Sequence, residues 1–136
     1  MKKLLSIKYA PGAFSVAILI LRLGAGILMM HHGYDKLVHF DSLSNNPQFR
    51  FLGLSSSLSL SLDIFAEFFC ALFVVLGLFT RLATIPIIIA MGTALFQAHN
   101  GDIFGKGELS TLYLTAFIVL LLVGPGRVSV DGMVGK

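Results

Sequence analysis

The chain has 136 residues, 56% of them hydrophobic and only 12% charged, with a formal net charge of +3. Soluble domains carry about 25% charged residues, and a mean hydropathy of +0.88 is far too apolar for disorder, so the composition points to the membrane class. The scattered basic residues form neither a basic helix nor an aromatic-interleaved patch, which excludes a nucleic-acid binder. The single cysteine, Cys70, excludes an intramolecular disulfide, a CxxC couple and a cysteine metal cluster.

Met1-Lys2-Lys3 followed by apolar residues is reminiscent of a signal peptide. Lys8, Pro11 and Gly12 interrupt that early run, however, and the apolar stretch after them is long enough to span. It reads as an uncleaved first helix, from Ala13 to Tyr34. Arg22 sits in the middle of it. A charge at the centre of a membrane helix costs roughly 2.5–3.5 kcal/mol on insertion scales, so such residues face the bundle interior and pair. Gly24 and Gly26 follow, where small residues let helices approach closely.

Asp35 to Ser57 is the longest polar segment. Its end, Ser55 to Leu62 (SSSLSLSL), alternates with period 2, a strand pattern with nothing to pair with. It is better read as an amphipathic lead-in to a second helix, Leu58 to Phe79, with a serine as N-cap. Glu67 lies in the middle of this helix, and Asp63, four residues earlier, shares its face. Phe65, Phe68, Phe69 and Phe73 read as packing, and Cys70 as a small buried hydrophobe. Thr80-Arg81 leaves almost no loop before a third helix, Leu82 to His99, with Pro86 expected near its first turn, where a missing N–H does little harm. Asn100 to Gly107 is a Gly-rich turn. A fourth helix, Leu109 to Val123, ends at Gly124-Pro125-Gly126, a stop followed by a tight turn.

The expected fold is an all-α transmembrane four-helix bundle forming a single domain over residues 1–136. Lys2, Lys3, Lys8, Arg81, Arg127 and Lys136 fall on one side of the membrane, and Lys36, Arg50 and Lys106 on the other. By the positive-inside rule both termini are cytoplasmic. His31, His32, Lys36, His99 and Glu108 then gather at the outer ends of helices 1, 3 and 4, while His39 reads as a solvated loop residue. Counting about 1.5 Å per residue from the helix ends sets Arg22 and Glu67 at similar depth, and an Arg22–Glu67 pair is expected to organise a polar centre. Ligand-binding or proton-relay candidates are Arg22, His32, Lys36, Asp63, Glu67, His99 and Glu108. Arg81, Arg127 and Asp131 are candidates for structural roles at the cytoplasmic face. A haem between His32 and His99 is the less favoured reading.

Together these strings resemble the DoxX family of membrane proteins. His32-Gly33-Tyr34-Asp35-Lys36-Leu37 resembles its HGxxKL signature, and Arg22-Leu23-Gly24 its helix-1 RLG. Glu67 followed by Leu76 to Ala83 (LGLFTRLA) is similar to its second-helix pattern, and Gly124 to Asp131 (GPGRVSVD) to its C-terminal motif. The resemblance implies a four-helix bundle in the cell's inner membrane with a link to redox chemistry, since relatives include a subunit of an archaeal thiosulfate:quinone oxidoreductase. Carried over by position, it points to Arg22, His32, Lys36, Glu67, Arg81, Arg127 and Asp131. The expected ligand is a quinone between helices 1 and 2, with Arg22 and His32 hydrogen-bonded to its carbonyls and Glu67 or Asp63 exchanging protons; no intrinsic cofactor motif is present, so electrons come from a redox partner protein or from substrate. The alternatives are a non-catalytic scaffold or accessory subunit and, less favoured, a solute or proton carrier. The lipid bilayer is the expected surrounding, and a homo-oligomer through the glycine-bearing face of helix 1 is a further expectation.

Overall fold

A computed structural model describes residues 1–51 and 53–135, with Phe49 described by its backbone alone; Lys136, counted above in the charge asymmetry, lies outside the described residues. No strand occurs among the described residues. α1 (Pro11–Val38) begins on a proline, whose fixed φ suits a first turn. After it come α2 (Phe40–Ser44), a 3-10 turn at Pro47–Phe49, and α3 (Ser56–Leu76). α4 (Thr80–Ala98), α5 (Glu108–Val123) and a short α6 (Val130–Met133) complete the chain.

α1, α3 and α4 are each long and apolar enough to cross a membrane. α5 has 16 residues, about 24 Å at 1.5 Å per residue, short of a hydrocarbon core of about 30 Å. The four long helices pack in a ring, α1 on α3, α3 on α4, α4 on α5 and α5 on α1. Met29, Val74, Ile87, Phe117 and Leu120 are fully buried at its centre. Outward-pointing Ile20, Ile27, Leu112 and Leu122 are exposed, as befits helices whose outer faces meet lipid.

The helix boundaries depart from the sequence reading in informative ways. α1 runs four residues past Tyr34, which carries Lys36 into the bundle. The Ser55 hydroxyl accepts from Leu58 N at 3.3 Å, so the serine-rich stretch is indeed a capped helix start, at Ser56 rather than Leu58. Pro86 is not in a first turn: α4 starts at Thr80, and Pro86 sits inside the helix, where it withholds an N–H from the carbonyl of Leu82.

The register between α1 and α3 is set by glycine. A Cβ on Gly33 would lie 2.6 Å from Phe68 N and 2.7 Å from the Glu67 carbonyl carbon, and one on Gly26 would lie 2.7 Å from Val75 Cγ2. Backbone therefore meets backbone at Gly33, which places Gly33 level with Glu67 and Phe68. The face that α1 buries is Ser15, Ile18, Arg22, Gly26, Met29 and Gly33, spaced three and four residues apart as one helical stripe.

Candidate functional site

The glycine-set register separates the two charges that the sequence reading pairs. Arg22 is eleven residues from Gly33 along α1, about 16 Å, and it lies level with the α3–α4 hairpin rather than with Glu67. The Arg22–Glu67 pair does not form. The cause is the reference point: counting depth from the helix ends ignores the extra turn of α1 and the early start of α3, whereas the close approach at Gly33 fixes the alignment. The charges form two clusters, one at each end of the bundle.

At the end that carries the termini, charge is directed at backbone. Arg22 is buried, 3% exposed, and donates to Pro125 O at 2.6 Å and Val75 O at 3.4 Å. Val75 is in the last turn of α3, whose carbonyls lack helical partners and carry the negative end of the helix dipole. Gly77 ends α3 in the left-handed region (φ 72°), and Leu78 N closes back on Phe73 O at 2.9 Å, a Schellman arrangement. A side chain at Gly77 would strike Ser129 Cβ, at 2.4 Å.

The C-terminal segment clamps that hairpin. Asp131 N donates to Gly77 O at 2.9 Å. The buried Asp131 carboxylate accepts from Phe79 N at 3.0 Å and Thr80 N at 3.1 Å, capping the start of α4. Arg81 donates to Leu122 O and Val123 O, the last carbonyls of α5. Arg127 is exposed; its carbonyl accepts from Ser129 N. Arg22 thus stands with Arg81 and Asp131 among the residues that join helix ends, not in a ligand site.

At the far end, charged side chains meet one another. The Lys36 ammonium donates to Asp63 Oδ2 and to Glu67 Oε1 at 2.9 Å. It also lies 2.8 Å from Glu67 Oε2, a contact too poorly aligned for a hydrogen bond, so that oxygen is buried without one. Asp63 and Glu67 flank one cation from the same face of α3, as their four-residue spacing predicts. Glu67 lies inside a π turn, Phe65–Cys70, that interrupts α3; π turns recur at functional sites. A second π turn, Ala94–Ala98, ends α4 just before His99.

Residues of both π turns line a cavity of about 820 Å³ between α3 and α4, within the usual size of ligand sites. Its walls are apolar: Leu62, Phe65, Ala66, Pro86, Ile89 and Ala94. Its polar groups include Lys36 and Asp63 with Gln97, His99 and Lys106. The loop before α3 adds Gln48, Phe51 and Leu54, and the Ser59 hydroxyl holds Phe51 by accepting from its N–H at 3.1 Å and donating to its carbonyl at 3.3 Å.

Of the sequence candidates, Lys36, Asp63 and His99 line this cavity, and Glu67 stands behind them. His32 does not line it: exposed on α1, it packs edge-on against Tyr113 of α5, with centroids 5.8 Å apart. The two histidines considered for haem therefore do not share a pocket. Glu108 is exposed in the first turn of α5, and His31 is exposed on α1. Lys106 and Gln97 escaped the sequence reading because nothing in a Gly-rich turn or an apolar helix end says which way they face.

The family model DoxX matches residues 17–100. The chain belongs to the DoxX family. It is 29% identical to an uncharacterized membrane protein of Mycobacterium tuberculosis, over 88% of this chain and 82% of that protein. It is also 29% identical to the inner membrane protein YphA of Escherichia coli, over 85% of this chain and 89% of that protein. No solved structure matches it. The match and the apolar helices together make this DoxX protein a multi-pass membrane protein.

Proposed function

We propose that this DoxX protein binds a quinone or a similar amphiphile in the cavity between α3 and α4, as a redox-associated membrane subunit. The observation that carries the reading is the juxtaposition of the Lys36–Asp63 pair with apolar walls in one cavity of ligand size. Few polar groups at one end of an apolar pocket orient a ligand and give specificity. Lys36 donates hydrogen bonds, as quinone carbonyls require, and Asp63 accepts them, as quinol hydroxyls require. Bound there, a quinone supplies two-electron, two-proton redox chemistry. Glu67 shares the Lys36 ammonium with Asp63 and keeps it fixed at the cavity wall. In the orientation favoured by the basic residues, this end of the bundle faces outward.

This reading relocates the site expected from sequence. Arg22 and His32 take no part in holding the ligand, and the cavity lies between α3 and α4 rather than between the first two spans. The test is equilibrium binding of a tailless benzoquinone and its quinol to the purified protein in nanodiscs. Lys36→Met and Asp63→Asn are each expected to weaken binding about tenfold, the scale of a hydrogen bond to a charged group. Arg22→Lys is expected to leave affinity unchanged. Wild-type affinity in both cavity variants would overturn the assignment, and a stable copurifying complex without ligand binding would favour the accessory-subunit reading.

A further inference from the structure

A second depression runs along the same helix pair. It measures about 250 Å³ and is lined by Phe65, Cys70, Phe73, Leu82, Ile85 and Pro86 among others, almost wholly apolar. Phe65 and Pro86 also line the larger cavity, so the two spaces are neighbours across a shared wall. From Asp63 to Phe73 is ten residues of α3, about 15 Å along its axis, or half of a hydrocarbon core of about 30 Å.

We propose that cavity and groove form one elongated site for a long-chain amphiphile, its polar head at Lys36 and Asp63 and its hydrocarbon tail laid past Phe65 and Pro86 into the groove towards Phe73. This rests on the cavity reading and extends it to the ligand's class. Three features support a tail of the same molecule over unrelated lipid. The polar groups sit at one end only, so an occupant is oriented head to tail. The shared residues Phe65 and Pro86 set the groove directly beside the cavity, so a tail that passes them enters it. The loop residues Gln48, Phe51 and Leu54 wall the cavity, with Phe51 clasped to Ser59, and the way in under this proposal is the lipid-facing side between α3 and α4. A molecule arriving by that route is already dissolved in the membrane. The left-out N–H at Pro86 and the wider π turn at Phe65–Cys70 mark the two helices where they must part around such a chain.

The protein contains no tryptophan, which provides a direct test. Phe73→Trp places a single reporter in the groove, and Leu122→Trp places a control on the outer face of α5, where Leu122 is 72% exposed. Both are titrated in nanodiscs with a benzoquinone-headed amphiphile carrying bromine at the far end of its tail. Quenching of Phe73→Trp is expected to saturate at low mole fraction, and to lose that saturable component when Asp63→Asn is added. Leu122→Trp is expected to quench only in proportion to the amount added. Removing groove wall with Leu82→Ala and Ile85→Ala, both side chains being exposed, is expected to weaken the long-tailed ligand about threefold through lost van der Waals contact, while leaving the tailless head unaffected. If the tailless head binds but Phe73→Trp behaves like Leu122→Trp, the groove holds only bulk lipid and this inference fails alone. If no head binds, the cavity reading fails with it.

Discussion

The two ends of this bundle use charge in opposite ways. At the terminal end, Arg22, Arg81 and Asp131 each aim at backbone groups left over at helix ends, and those bonds fasten the α3–α4 hairpin to α1 and to the C-terminal segment. At the far end, Lys36, Asp63 and Glu67 aim at one another beside a cavity. Backbone-directed charge answers a need the fold itself creates, so it reads as structure. Side-chain charge gathered on one wall of an apolar cavity satisfies no helix end, so it reads as a site. Arg22 and Glu67 look alike in the sequence, each a lone charge in an apolar run, and only their partners tell them apart.

Variants can break the contrast from either side. The largest stability effect is expected for Asp131→Ala, which orphans the N–H groups of both Phe79 and Thr80. Each buried donor left unpaired costs about 1–3 kcal/mol, to be measured as unfolding in mixed detergent, while any protein that remains folded should keep its ligand affinity. Gly33→Ala comes next, because its methyl would meet the Phe68 backbone at 2.6 Å, which cannot give way as a side-chain tip can. Overpacking costs about 1–3 kcal/mol. It would also push Lys36 away from Asp63, so both stability and ligand binding should fall. Lys36→Met is expected to weaken binding about tenfold as argued above and, because it leaves the buried Glu67 without its cation, to lower stability as well, so its binding is read on the protein that remains folded. If Arg22→Lys lowered affinity as far as Lys36→Met, the division between the ends would collapse.

Much of the fold is legible in the sequence because apolar length and helix punctuation are local properties. The serine cap before α3, the tight turn between α3 and α4 (at residues 77–79, just before the expected Thr80-Arg81, which open α4) and the stop at Gly124-Pro125-Gly126 all follow from neighbouring residues. The shared face of Asp63 and Glu67 is equally local. What escaped is register. Whether Arg22 meets Glu67 or Val75 depends on where two helices touch most closely, and Gly33, read at first only as part of a motif, is the residue that decides it. The cavity escaped for a related reason. It arises where Pro86 and two π turns loosen α3 and α4, and a π turn leaves no mark in hydrophobic periodicity.

The smallest expected effects concern the histidine pair, and they bear on which histidine of the motif matters. His32 lies against Tyr113, edge-on at 5.8 Å, and Tyr113 stacks with the fully buried Phe117. Through that contact α1 and α5 close the ring of helices on the side away from the cavity. Aromatic pairs contribute about 0.5–1.5 kcal/mol beyond area burial, and this one, half open to the surroundings, should sit at the low end. His32→Ala is therefore expected to lower stability by about 0.5 kcal/mol without weakening the ligand, and His32→Phe to restore it, since the ring rather than its nitrogens makes the contact. His31, exposed on α1 with its ring against that of His32, should tolerate alanine with no measurable change in either. A loss of ligand affinity in His32→Phe with stability intact would give that imidazole a chemical role at the far end and extend the site across α1, beyond the wall that Lys36 now forms.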